Sequence, residues 1–169
     1  MERVASILER ERELLESLLF KLVETRLVLQ ANELRFLARA TREVDLARTR
    51  CREVDLLRAT TVAEHAPGAS LRDLANTATD PWPAILRDHH ETLSSLVAEI
   101  ELSAHQNAEL ARLGLEAMQL ATVGSGTATG TSRLSDRAEL GRLARGAALT
   151  SVLGTAARLR MPDLLAFLR

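Results

Sequence analysis

Between Met1 and Ala66 this 169-residue chain has neither glycine nor proline. The first breaker is Pro67-Gly68. Such a stretch predicts one continuous amphipathic helix over about residues 2–66. At about 1.5 Å rise per residue it would be a rod of roughly 100 Å, where an ordinary helix has about 11–12 residues. No enzyme core needs a rod of that length, and its apolar stripe requires another long helix to cover it.

Other scarcities exclude further classes. Aromatic residues are 2% of the chain and tyrosine is absent. The core must then come from Leu, Val and Ala, which suits narrow helix–helix seams better than a deep small-molecule pocket. The single cysteine, Cys51, excludes an intramolecular disulfide and a cysteine-based zinc cluster. A net charge of −1 provides no overall basic footprint for nucleic acid. No run approaches the ~20 apolar residues of a membrane span. The opening MERVASILERERELL is charged throughout and lacks the apolar centre of a secretory signal. These absences predict a soluble, cytoplasmic chain. The β-branched alternation of strands is also missing.

What remains is helical pattern. Leu8, Leu15, Leu22, Leu29 and Phe36 recur every seven residues. The stripe then passes to Leu37, Val44 and Cys51, with Ala40, Ala47 and Val54 three residues after each. This is an a/d seam with the drift expected of a 3.6-residue helix. Between Leu14 and Leu37 the apolar set widens to include Leu18, Leu19, Val23, Leu27, Val28 and Leu34. One partner helix cannot cover it, so a third helix or a second protomer is expected, leaving a homodimer open.

Ser70 followed by Asp73 predicts a cap for a short helix after the APGAS break. Asp80-Pro81 predicts the start of a second long helix, with Asp80 at N-cap and Pro81 at N1, over about residues 81–122. Its seam is Leu86, Leu93, Ile100 and Asn107, with Leu96 and Leu110 alternating. Asn107 stands where the pattern otherwise places Leu or Ile, and a polar residue there can fix register.

Residues 123–132 read as a flexible Gly/Ser/Thr linker. Gly124, Gly126 and Gly130 follow a helix and lack a Lys-Ser/Thr, so they do not form a phosphate-binding loop. A last helix is expected over about 136–161, capped by Ser135 and ended by Pro162. Gly141, Gly146 and Gly154 each weaken it by roughly 1 kcal/mol. It carries two offset stripes: Leu140, Leu143 and Ala147 on one side, and Leu149, Val152, Leu153, Ala156 and Leu159 on the other. Charge is divided too. Residues 67–132 are net −5 and residues 133–169 net +4, so the basic tail is expected to lie against the acidic second helix.

No catalytic set is visible. His89 and His90 are adjacent, so on a helix they point about 100° apart and cannot converge on one ion. Cys51 falls in a seam and reads as a small buried residue. The chain predicts no enzyme, no cofactor and no metal. The fold expected is all-α: an elongated antiparallel helical hairpin or coiled coil over 1–122, then a flexibly linked C-terminal amphipathic helix at 133–169.

Three patterns within residues 6–120 resemble the flagellar export chaperones of the FlgN type. They are LLESLLFKL (14–22), then L-x-x-N-x-L-x-x-L-x-x-A-T-x-E on Leu29, Asn32, Leu34, Leu37, Ala40, Thr41 and Glu43, then Asn-x-x-Leu at Asn107 and Leu110. Ala104 stands where that family often has a second asparagine. The resemblance implies a cytoplasmic chaperone of flagellar type III export. Such a protein holds hook-associated proteins unassembled and delivers them to the export apparatus. It also implies substrate contact through the C-terminal helical region. That agrees with an apolar stripe on a glycine-weakened helix, and it nominates Leu149, Val152, Leu153, Ala156 and Leu159 as cargo-binding residues. The competing expectation is a structural coiled-coil scaffold, for which three glycines in the last helix serve no purpose.

Overall fold

The computed structural model describes residues 1–124 and 133–169. The chain reverses where the sequence contains neither glycine nor proline. The expected rod is two helices of 29 residues each, α1 (Glu2–Gln30) and α2 (Leu37–His65). A 3-10 turn, Leu34–Phe36, joins them. The cause is local. Asn32 has φ 54°, a left-handed conformation that asparagine enters more readily than most side chains. The Asn32 N–H donates to the Leu29 carbonyl and the Glu33 N–H to the Val28 carbonyl, both at 3.0 Å. This paired reversal satisfies the last carbonyls of α1. Leu34 then packs with Val28, Leu29 and Leu37.

The hairpin is antiparallel, tied by Arg3–Glu64, Glu11–Arg58 and Lys21–Glu43 ion pairs. After the Pro67-Gly68 break comes α3 (Leu71–Thr77), started by the expected capping box: the Ser70 hydroxyl accepts from the Asp73 N–H and the Asp73 carboxylate from the Ser70 N–H. The second long helix, α4 (Trp82–Gly124), is 43 residues long. It begins after Pro81, not at it, and Pro83 occupies its first turn, where proline is tolerated.

Folding α1–α2 in half changes the packing of α4. The hairpin returns the chain to its starting end, so α4 runs parallel to α1, with Leu22 beside Asn107 and Leu29 beside Leu110 and Gly114. The hairpin expected between residues 2–66 and 81–122 is replaced by the α1–α2 hairpin with α4 against α1. The third helix called for by the wide apolar set is α4 itself. The seam of α4 is buried as the sequence predicts, through Leu86, Leu93, Ile100 and Asn107.

The expected linker falls on 125–132, outside the described residues, while Val123 and Gly124 belong to α4. The next helix, α5 (Arg133–Ala157), is already under way at Ser135, so Ser135 is not its cap. It ends at Ala157, not at Met161, and Pro162 is not its stop. That proline opens a further helix, α6 (Pro162–Leu168). α5 runs antiparallel to α4, with Leu149 against Gly114 and Met118 near Gly146. It runs parallel to α2, where Ser151 meets Thr41 and Arg158 meets Asp45. Four lanes therefore close in the order α1, α2, α5, α4, with α6 continuing the α5 lane past Arg58 and His90. The architecture is all-α, with no strand among the described residues.

Candidate functional site

The residues nominated for cargo lie in the fourth lane, inside the bundle. Leu149 and Val152 are buried with Leu37, Ala111 and Ala148, and Leu153 packs on that group. Leu159 joins the main core, with Ala156 against it. The stripe is divided between these two clusters, and it is the inner face of a docked arm and not a free surface. A glycine-weakened helix gains its order from such packing. The other stripe is the exposed one: Leu140 is 67% and Leu143 66% accessible. Gly114 matters to the docking. A Cβ there would lie 3.1 Å from a Leu149 methyl, so its absence lets Leu149 seat against the α4 backbone.

Polar contacts hold the arm at its elbow. Arg158 donates to both carboxylate oxygens of Asp45, each at 3.1 Å. Arg48 donates to the Arg158 carbonyl at 3.4 Å. Among the described residues, no ion pair joins the tail to the acids of α4; its partner is Asp45 on α2. Leu149 and Gly146 of α5 meet Gly114 and Met118 of α4 in apolar contact.

Below the elbow lies a cavity of about 60 Å³, lined by Leu15, Cys51, Arg48, Leu159 and Met161 among others. Glu11 also lines it and belongs to an ion pair deep in the bundle. Glu11 and Arg58 are 1% and 3% accessible, with Arg58 Nε 3.0 Å from Glu11 Oε2. Arg58 also pairs with Asp55. The Phe167 ring of α6 covers the guanidinium, 4.1 Å from its centroid, a cation–π contact. Burial pushes the Glu11 carboxyl up to about 7, against the pull of Arg58. Burial also pushes the Cys51 thiol up to about 12, with Glu11 adding to it. Cys51 is packed and protonated, as a small apolar residue would be.

His89 and His90 are both half-buried on α4. A His90 ring nitrogen lies 2.7 Å from the Leu168 carbonyl, tying the end of α6 to α4. Among the described residues, no group of three or more His, Cys, Asp or Glu is placed to hold a metal. None of their helices is long and apolar enough to cross a membrane.

Sequence reasoning missed the elbow and α6. The signal was present in Met161-Pro162-Asp163, since proline in a first turn followed by an acid marks a helix start as well as a stop. It also missed Arg58 and Glu11, whose pairing depends on the reversal at Asn32. Comparisons with protein-family models, with curated proteins and with solved structures find no match.

Proposed function

We propose that the chain is a binding protein without catalysis, a cytoplasmic flagellar type III export chaperone of the FlgN type. In this reading it holds hook-associated proteins unassembled and delivers them to the export apparatus. The residue patterns at 14–22, 29–43 and 107–110 support it. The observation that carries it is the docked arm. Leu149, Val152, Leu153, Ala156 and Leu159 seat an amphipathic helix in a lane made by α2 and α4. A cargo helix of the same chemistry competes with that lane for the stripe. The arm's polar tie between Asp45 and Arg158 lies at the surface, with the side chains 37% and 47% accessible. Such contacts contribute at most about 1 kcal/mol, so exchange is not locked.

Co-expression with hook-associated proteins from the same genome tests this. A stoichiometric complex that survives purification supports it. Recovery of every hook-associated protein free of the chain refutes it.

A further inference from the structure

The α1–α2 hairpin stops at the turn 31–36, but α4 and α5 do not. Leu29 faces Leu110 and Gly114, so α4 from about residue 111 to Gly124 overhangs the end of α1. At about 1.5 Å per residue that overhang is roughly 20 Å. α5 lies beside it, with Gly146 against Met118. Among the described residues they form a two-helix finger whose inner face lacks the second pair of helices. The result is an open groove of about 370 Å³, floored by Leu29, Leu110, Gly114, Met118 and Leu149. Arg142 and Arg145 line its edge. They are spaced i, i+3, one helical turn apart on the same face. Neither has an ion-pair partner among the described residues, and Arg145 donates only to the Gly141 carbonyl, at 3.1 Å. Glu139 is the one acid on α5 between Ala138 and Ala147.

We infer that this groove docks an amphipathic helix of a partner protein, apolar side down, with two carboxylates one turn apart facing Arg142 and Arg145. The charge decides the occupant. Apolar floor alone fits any hydrophobic helix, but two unpaired guanidiniums at helical spacing fit carboxylates at helical spacing. The chain's own segment 125–132 is Ser, Gly, Thr and Ala only. It supplies neither an acid nor a large apolar side chain. The site does not depend on the chaperone reading. Cargo there captures the arm, whereas here α5 stays docked and forms one wall.

The test uses the full chain and two labelled helical peptides of about five turns. One has leucines on one face flanked by glutamates, and its twin has lysine at each glutamate. Anisotropy is expected to show the acidic peptide binding at least about tenfold more tightly than the lysine twin. The double variant Arg142→Glu/Arg145→Glu is expected to reverse that order, with helicity unchanged because both side chains are exposed. Met118→Glu, which puts a carboxylate in the floor, is expected to weaken the acidic peptide with the arginines intact. Equal binding of both peptides, or an acidic-peptide affinity unmoved by the double variant, overturns the proposal. So does a concentration-dependent dimer that the double variant dissociates and the acidic peptide does not, because the occupant is then a second copy.

Discussion

Asn107 Nδ2 donates to the Leu22 carbonyl at 2.9 Å, a bond from the middle of α4 to the C-terminal part of α1. Asn107 is 1% accessible, and its Oδ1 is buried without a hydrogen-bond partner. One amide thus sets the register of two parallel helices while leaving an acceptor unpaired, which costs about 1–3 kcal/mol. Asn107→Leu removes the orphan and suits the surrounding leucines, so it is expected to raise the urea midpoint. Asn107→Asp buries a charge at that spot and is expected to cost at least about 3 kcal/mol. Chemical unfolding of both variants checks the pair, and a destabilised leucine variant contradicts the assignment.

The reversal at Asn32 makes a second prediction. Its φ of 54° is unstrained for glycine and costly for a β-branched residue. Asn32→Gly should leave stability unchanged or slightly higher. Asn32→Val should cost about 1–2 kcal/mol. Thermal unfolding distinguishes the two, and equal midpoints would mean that residue 32 is not held left-handed.

Stability should also fall with rising pH across the range set by Glu11. Its carboxyl is raised by burial from 4.5 to about 7. A carboxyl raised on folding means that the folded chain holds the proton more tightly. The stability this contributes is fully present below about pH 4.5 and is lost as pH rises through about 7. The carboxyls of Glu9, Glu43 and Asp73 are lowered, by Arg12, Lys21 and Ser70 respectively. Their contributions are lost at the acid end instead. Urea unfolding between about pH 5 and about pH 8 should show a decline on the order of 3 kcal/mol. Glu11→Gln, which mimics the protonated carboxyl, should flatten that decline and hold stability at about pH 8 close to its value at about pH 5.

Cys51 should be inert. With the thiol buried and pushed up to about 12, almost no thiolate exists at neutral pH. A colorimetric disulfide reagent should react with the native chain only as fast as it unfolds, and at once in denaturant. Fast labelling of the native chain would place the α1–α2 interface elsewhere.

The sequence revealed seams better than it revealed reversals. Leu86, Leu93, Ile100 and Asn107 lie on one unbroken helix, so periodicity alone identified their buried face. In the first half, Leu8, Leu15 and Leu22 are buried as the repeat implies, but Phe36 lies exposed in the turn. The seven-residue repeat ran straight through the reversal, so nothing in its phase marked it. The only local sign was asparagine at position 32, a residue that also occurs in ordinary helices. The two stripes of α5 were legible as stripes. Which one faced inward was not, because the docking surface on α2 exists only after the hairpin has folded back. The ties Arg58–Glu11 and Arg158–Asp45 were hidden for the same reason.

In the proposed function the arm carrying Leu149, Val152 and Leu159 is both the fourth lane of the bundle and the element through which cargo binds. Calorimetric titration of a purified hook-associated protein tests it most directly, using the full chain, the Arg158→Ala variant and the chain ending at residue 132. The account predicts saturable one-to-one binding by the full chain. Loosening the elbow with Arg158→Ala should tighten that binding by a few-fold, in keeping with an exposed ion pair of at most about 1 kcal/mol. Removal of the arm should abolish it. Binding that is absent from the full chain, or that is unchanged when residues 133–169 are removed, contradicts the account.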